Sequence, residues 1–202
     1  HRFPDVIFVE GTATAQAIYA DARPRLPQIR TLVQSAGSPS SIGSGFVARA
    51  DGFAMTAPAG SYDAWFERPW GRYATATEHR MLLAAAGPVA GAAVLDAGCG
   101  TGRFMQRLEA EGADVIGVDR DTDALAIART RTTGVLLLGD AHQLALPDRS
   151  VDVAFAVTVC EFTADPARVF AELVRVVRPG GRVVVGSLNR TSPWGCWNRR
   201  QF

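Results

Sequence analysis

The chain has 202 residues, of which 48% are hydrophobic and 20% charged, and its formal net charge is +1. Such values are typical of a globular domain with one core. The small net charge gives no electrostatic reason to expect binding to nucleic acid or to an anionic membrane surface. All 21 basic residues are arginines, which excludes chemistry that needs a lysine amine, such as Schiff-base formation.

Cysteine usage and hydropathy predict a cytoplasmic protein without a metal or a membrane span. Cys99, Cys160 and Cys196 lack the spacing of metal ligands. An odd number of cysteines argues against a disulfide framework and favours a reducing compartment. No apolar run approaches the ~20 residues that cross a bilayer. No signal peptide is visible, and His1 in place of a methionine predicts that the true start is missing.

The first 60 residues carry weak patterns. Short apolar runs predict strands at 6–9 and 29–33, and a helix is predicted over 13–23, where Pro24 follows. None of these segments carries a motif with chemical meaning. We therefore divide the chain into an unassigned N-terminal extension, residues 1–60, and a main domain, residues 61–202.

The main domain is organised around a glycine-rich turn. An apolar strand that ends near Asp96 leads into Gly98, Gly100 and Gly102, and the residues that follow have helical spacing. Strand, glycine turn and helix together bring backbone N–H groups close to a ligand. A dinucleotide-binding turn has the pattern Gly-x-Gly-x-x-Gly and would need glycine at Arg103, so the spacing disfavours a nicotinamide cofactor.

Two further strands end in acidic residues. Asp119 closes the second strand 17 residues after Gly102, where its carboxylate can accept hydrogen bonds from both hydroxyls of a ribose. The alternative is that Asp119 caps the next helix, but Asp121 is better placed for that. A third strand over 134–138 precedes Asp140.

The fourth strand is predicted over 151–157, and the residues after it should border a ligand because ligands lie at the carboxyl ends of strands in open α/β sheets. Asp165 and Pro166 then predict a capped helix that ends before Pro179. A valine-rich fifth strand follows over 182–186.

Residues 62–190, with these elements in this order, resemble the class I S-adenosylmethionine-dependent methyltransferases that act on small molecules. The resemblance implies a Rossmann-like α/β fold, doubly wound around a mainly parallel sheet. It also implies S-adenosylmethionine as cofactor and transfer of its methyl group to a small-molecule acceptor by in-line displacement. The cofactor-binding residues that it implies are Asp96, Gly98, Cys99, Gly100, Gly102, Asp119, Arg120, Asp140, Ala141, Val157 and Thr158.

Acceptor-side residues are less specific. The resemblance implies that a cap containing Tyr62, Arg72 and Tyr73 covers the cofactor and helps to form the acceptor pocket. Glu161 is a candidate for touching the acceptor, and His142 is a weaker candidate for a general base. Methyl transfer from a sulfonium to an enolate, thiolate or amine needs no dedicated base, so a strong cofactor pattern is compatible with no recognisable catalytic residue.

A complete domain of this class has two more strands, which the sequence does not supply after residue 190. We therefore expect either a C-terminally incomplete chain or one whose sheet a second copy or a partner completes. Without such cover the fifth strand would be an exposed edge. Two alternatives to an enzyme of this class remain open. They are a nicotinamide-dependent oxidoreductase and a non-catalytic subunit that binds a nucleoside or a partner protein.

Overall fold

A computed structural model describes residues 5–9, 31–34, 63–64 and 66–187. These residues form a parallel sheet of seven strands in the order β2-β1-β7-β6-β3-β4-β5. The strands are β1 (Asp5–Val9), β2 (Thr31–Gln34), β3 (Ala93–Ala97), β4 (Asp114–Asp119), β5 (Val135–Leu138), β6 (Val151–Val157) and β7 (Val177–Gly186). The helices are α1 (Pro69–Ala86), α2 (Arg103–Ala110), α3 (Thr122–Ala128) and α4 (Pro166–Val176), with a 3₁₀ helix at Cys160–Phe162.

The sheet is covered on both faces, as the apolar composition of its central strands requires. One core cluster contains Leu82 of α1 and Phe104 of α2, and the other contains Phe170 and Leu173 of α4. Phe155 of β6, at the centre, is fully buried. This architecture confirms the predicted Rossmann-like fold with a mainly parallel sheet.

The helix caps follow the sequence signals. The Asp121 side chain accepts hydrogen bonds from the backbone N–H groups of Asp123 and Ala124 at the start of α3. Asp165 caps α4 in the same way, with Pro166 as its first residue. Both caps are confirmed. Helix α1 begins at Pro69, because a proline is well suited to the first helical position.

The expectation that the fifth predicted strand forms an exposed edge is wrong. That strand is the second half of β7, and it pairs in parallel with β6 on one side and with β1 on the other. Two strands that precede residue 60 therefore occupy this side of the sheet, and the edges of the described sheet are β2 and β5. The division of the chain at residue 60 stays a prediction, although strands from both sides of it share one sheet.

The helix predicted over 13–23 and residues 188–190 of the stretch that resembles the family lie outside the described residues. Within the described ranges, no helix combines the length and apolarity that crossing a membrane requires.

Candidate cofactor site

The sheet topology brings the predicted cofactor residues to one edge. β5, β4, β3 and β6 are neighbours, and all four run in parallel. Their carboxyl ends therefore lie side by side. In this way Asp96 and Asp119 at the ends of β3 and β4 share an edge with Asp140, just after β5, and Thr158, just after β6.

The three glycines of the turn have different surroundings. Gly98 has a φ of +78°, and a Cβ atom there would lie 2.3 Å from Cγ2 of Val159, so only glycine fits. Gly100 has a φ of +51°, and its Cβ would meet nothing within 4 Å. The backbone at Gly100 therefore faces open space, whereas Gly98 packs against the loop after β6. Gly102 directly precedes α2 and packs against Ala128 of α3.

Asp119 holds the glycine turn through backbone hydrogen bonds. Its Oδ2 atom accepts from the N–H of Gly100 at 2.7 Å, and its Oδ1 atom accepts from the N–H of Asp121 at 2.9 Å. The N–H groups of Gly98 and Cys99 both donate to the carbonyl oxygen of Val118 on the same strand. The turn is thus fixed to β4 before any ligand binds. Each carboxylate oxygen of Asp119 still has lone pairs for further donors.

Asp96 is a buried acid with an unsatisfied oxygen. Asp96 is only 2% exposed, and its Oδ2 atom has no hydrogen-bond partner among the described residues. Burial, with the nearby charge of Asp119, raises the pKa of Asp96 to about 7. A cationic group placed beside Oδ2 would supply the missing partner and restore the charged form.

Cys99 lies in the turn but is not a nucleophile. It is buried, and burial followed by the charges of Asp96 and Asp119 raises the pKa of its thiol far above the ordinary range. A protonated thiol is a poor nucleophile. Its sulfur packs against β4, close to the place where a Cβ of Gly117 would be, and its part in binding the cofactor stays a prediction.

Asp140 is engaged by the histidine two residues later. Its Oδ1 atom accepts from the backbone N–H of His142 at 2.9 Å and contacts His142 Nδ1 at 2.6 Å. The backbone hydrogen bond from His142 lowers the pKa of Asp140, with further contributions from the His142 side chain and from the charge of Arg120. Ala141, between them, is half-buried against the core. Arg120 is exposed.

The end of β6 is strained at one residue. Thr158 has a φ of +53°, which is unusual for a side chain with a branched Cβ, and its N–H donates to the carbonyl oxygen of Gly186 at 2.8 Å. Strain of this kind concentrates at ligand sites. Val157, the last residue of β6, is half-buried. The placement of Glu161 in the 3₁₀ helix is described, but its side chain lies outside the described part.

Sequence analysis missed a charged cluster on the other side of the turn. The Asp63 carboxylate accepts from Thr101 Oγ1 at 2.9 Å, Arg103 Nε at 2.8 Å and a guanidinium nitrogen of Arg131 at 2.8 Å. Although burial alone would raise the pKa of Asp63, the hydrogen bonds from Arg131, Arg103 and Thr101 hold it well below its ordinary value. No local pattern joins residues 63, 103 and 131, so only the fold reveals the cluster.

Of the predicted cap residues, Arg72 lies near this cluster and donates to the carbonyl oxygen of Glu67. The guanidinium of Arg103 stands over the ring of Phe66, 5.1 Å from its centroid. Arg72 is exposed and lines a groove of about 480 Å³ between α1 and α2, to which Thr75, Arg80 and Arg107 also contribute. Tyr73 is 57% exposed. Tyr62 lies outside the described residues, so its place in a lid stays a prediction.

The strand ends thus form one edge of a Rossmann-like domain, with an acid at the tip of each of two neighbouring strands. Residues 95–185 match the model of a family described as a methyltransferase domain. The chain contains a class I S-adenosylmethionine-dependent methyltransferase domain, and S-adenosylmethionine is the cofactor of this class.

Relatives and solved structures agree. The chain is 36% identical over 139 residues to malonyl-[acyl-carrier protein] O-methyltransferase of Serratia marcescens, a match that covers 67% of this chain and 51% of that protein. A SAM-dependent methyltransferase of Thermotoga maritima superimposes with a TM-score of 0.62 at 30% identity, covering 70% of this chain and 63% of the other. The chain therefore spans only about half the length of this curated relative.

A third match is a complex between the Haloferax volcanii methyltransferase activator Trm112 and a methyltransferase. The match has a TM-score of 0.51 at 27% identity and covers 63% of this chain and 58% of that one.

The residues present fit the cofactor. S-adenosylmethionine carries an ammonium group, two ribose hydroxyls and an adenine amine. The unsatisfied Oδ2 of buried Asp96 matches a cation, and the open space at Gly100 admits a ligand close to the backbone. Spare lone pairs on Asp119 and Asp140 match the hydroxyls and the amine. Among the described residues there is no group of three or more side chains that could hold a metal ion.

Proposed function

We propose that this protein transfers a methyl group from S-adenosylmethionine to a small-molecule acceptor at the carboxyl edge of β3, β4, β5 and β6. The observation that carries the proposal is Asp96. A carboxyl group that is 2% exposed with an unpartnered oxygen destabilises the fold unless a ligand uses it. It stands at the tip of β3, directly before a turn whose backbone faces open space at Gly100.

The chain's residues act by binding and orienting. The bound cofactor supplies a sulfonium whose methyl group is already primed to leave. Asp96 would accept from the ammonium group, Asp119 from the ribose hydroxyls and Asp140 from the adenine amine. Val157 and Thr158 would border the methyl group and the acceptor. Fixing donor and acceptor in line and excluding water can contribute about 7–11 kcal/mol to lowering the barrier.

Isothermal titration calorimetry tests the cofactor half of the proposal. We expect the protein to bind S-adenosylhomocysteine and not NADH, because Arg103 stands where a dinucleotide turn needs glycine. Tight binding of NADH without a response to S-adenosylhomocysteine would favour an oxidoreductase instead.

Asp119→Ala is the companion variant. It should weaken binding of S-adenosylhomocysteine because charge-assisted hydrogen bonds to the ribose are lost, each worth about 1.5–3 kcal/mol. It also removes the acceptor of the Gly100 N–H, which loosens the turn. Asp123→Ala, on the exposed first turn of α3, serves as the matched control. Unchanged affinity in Asp119→Ala would refute the ribose assignment.

Release of methyl groups to a panel of acceptors tests the catalytic half. The curated relative's name describes methylation of an oxygen on a malonyl group carried by a protein, so the panel should include free carboxylic acids and malonyl thioesters besides amines and thiols. Turnover of any small molecule supports the proposal. Binding of S-adenosylhomocysteine without turnover across the panel favours the second candidate, a non-catalytic subunit.

In its most specific form, the second candidate function is that of a non-catalytic subunit that binds a partner protein. The match to a methyltransferase bound to its activator favours testing the chain with and without protein partners. Size-exclusion chromatography with light scattering would detect the homo-oligomer or complex that we propose as an alternative. We also propose a cytoplasmic location, since the described cysteines, Cys99 and Cys160, are free thiols.

A further inference from the structure

A chain of hydrogen bonds joins the loop after β5 to the loop after β6. It begins at the backbone N–H of Asp165, which donates to Thr163 Oγ1 at 3.2 Å. Thr163 Oγ1 in turn contacts His142 Nε2, and His142 Nδ1 lies 2.6 Å from Asp140 Oδ1. Arg168 Nε adds a bond to the carbonyl oxygen of His142 at 3.0 Å. Four residues on two loops are therefore linked up to the carboxylate assigned to adenine.

The chemistry fixes the direction of the bond to Asp140. A carboxylate can only accept, so His142 Nδ1 carries the proton and donates to Asp140. In the neutral imidazole, Nε2 presents a lone pair, to which the Thr163 hydroxyl donates, while a lone pair of that hydroxyl accepts from the backbone N–H of Asp165. Both imidazole nitrogens are thereby occupied. This arrangement leaves His142 no free lone pair with which to act as the general base considered above.

The Asp140 carboxylate needs these hydrogen bonds to hold one orientation, because its side chain is largely exposed to solvent. The Asp140 side chain is 61% exposed, so alone it would sample several rotamers in solvent. Two donors from His142 hold its Oδ1 atom and so restrict the carboxylate to one orientation. At the other end of the hydrogen-bond chain, Thr163 is buried. Its hydroxyl accepts from the backbone N–H of Asp165, the residue that caps α4.

We propose that His142 and Thr163 are positioning residues that orient Asp140 for recognition of the adenine 6-amino group. Through the same bonds they tie the adenine side of the site to the loop that borders the acceptor. The inference rests on the proposed function, because it presumes that Asp140 meets an adenine. It concerns specificity for the base, which a merely structural role of the two residues would not affect.

The test compares two ligands that differ at that position. S-adenosylhomocysteine has the 6-amino group, whereas S-inosylhomocysteine has a carbonyl oxygen that would repel Asp140. The ratio of their dissociation constants, measured by calorimetry, reports how well Asp140 is oriented. We expect the wild type to prefer the adenosyl ligand by about tenfold or more, the value of one charge-assisted hydrogen bond.

Thr163→Val removes the hydroxyl with little change in volume, and Thr163→Ser restores it. We expect the preference to fall about fivefold or more in Thr163→Val and to return in Thr163→Ser, since each lost link loosens Asp140 by a typical hydrogen-bond energy. His142→Phe, which removes both links, should lose as much or more. Thermal unfolding of each variant identifies any that fail to fold. The ratio of dissociation constants in the folded variants then tests the inference.

NMR of the ligand-free protein gives a second measurement. The carbon and nitrogen shifts of the His142 ring should report the Nδ1–H tautomer in the wild type and in Thr163→Ser, and a mixture in Thr163→Val. An Nε2–H tautomer in the wild type would overturn the inference.

The outcomes separate the inference from the function on which it rests. A wild type that prefers the adenosyl ligand, with the same ratio in Thr163→Val and His142→Phe, overturns the inference alone. A wild type that binds neither ligand overturns the proposed function and the inference with it.

Discussion

The two sides of the candidate site are held by different means. On the β3–β4 side, charged groups fix the turn: Asp119 accepts from the Gly100 N–H, and Asp63 binds Thr101, Arg103 and Arg131. On the β6 side the contact with the turn is steric, since Val159 packs against Gly98, and the backbone at Thr158 is strained. The comparison teaches that hydrogen bonds fix the glycine turn before a ligand binds, whereas its junction with the loop after β6 depends on packing.

Gly98→Val should break the junction between the two sides and produce the largest effect. The new Cβ would lie 2.3 Å from Val159 Cγ2, and the φ of +78° is strained for valine. We expect binding of S-adenosylhomocysteine to be abolished in calorimetry. Gly91→Ala is the matched control, because Gly91 has a φ of +68° but open space at its Cβ.

The control should lose about 1 kcal/mol of stability, as expected for alanine at a positive φ, and keep its cofactor affinity. If Gly98→Val bound normally, the glycine turn would not be part of the site. If Gly91→Ala lost binding as well, the loss would come from general destabilisation and not from the turn.

Asp96→Asn should change stability and cofactor affinity in opposite directions. The pKa of Asp96 is raised to about 7 in the folded protein, above the value of about 4 expected when unfolded. The wild type without ligand therefore loses stability as pH rises from about 4 to about 7. Asparagine does not titrate, so the variant should be more stable than the wild type at pH 8, by a few kcal/mol at most.

The same variant should bind S-adenosylhomocysteine more weakly by about 10- to 100-fold, because a neutral amide replaces the acceptor of the ammonium group. Urea unfolding at pH 5 and pH 8, together with calorimetry, measures both effects. Asp114→Asn, at the exposed start of β4, is the control and should change neither. An Asp96→Asn variant with full affinity would show that the buried acid serves no cation.

Asp63→Asn tests the charged side of the comparison. Removing the carboxylate leaves the guanidinium groups of Arg103 and Arg131 without their shared partner, at a cost of about 2–3 kcal/mol in unfolding free energy. Because the folded pKa of Asp63 is depressed, its contribution should be lost as the pH falls below about 4. Glu67→Gln is the control.

Glu67 also pairs with Arg103, but its side chain is 63% exposed, so its removal should cost far less unfolding free energy than removal of Asp63. Equal losses in chemical denaturation for the two variants would mean that Asp63 is an ordinary surface ion pair.

The sequence predicted the parts of the site that depend on local order. The glycine turn and Asp119 lie at the ends of the buried strands β3 and β4, and Asp140 follows the edge strand β5. Parallel strands bring these ends together by topology alone. Asp121 and Asp165 were predictable as caps because capping needs only the residues next to a helix.

The remaining features depend on contacts between distant residues. The Asp63 cluster joins residues up to 68 positions apart, and β1 pairs with β7 across most of the chain. The burial that leaves Asp96 Oδ2 unpartnered likewise arises only when β4 and β6 flank β3. Hydrophobic periodicity reports that a strand is buried but not which strand lies beside it. The wrong expectation of an exposed fifth strand has this cause.

Gly100→Ala should have the smallest effect and sharpens the comparison most. A methyl group at Gly100 meets no protein atom within 4 Å, and the N–H that donates to Asp119 is retained. The folding cost should therefore equal that of Gly91→Ala, about 1 kcal/mol, since both glycines have positive φ. Cofactor affinity should nevertheless fall about tenfold in Gly100→Ala alone, because the methyl group takes space that the ligand uses. Equal affinity in the two variants would place the ligand elsewhere along the strand ends.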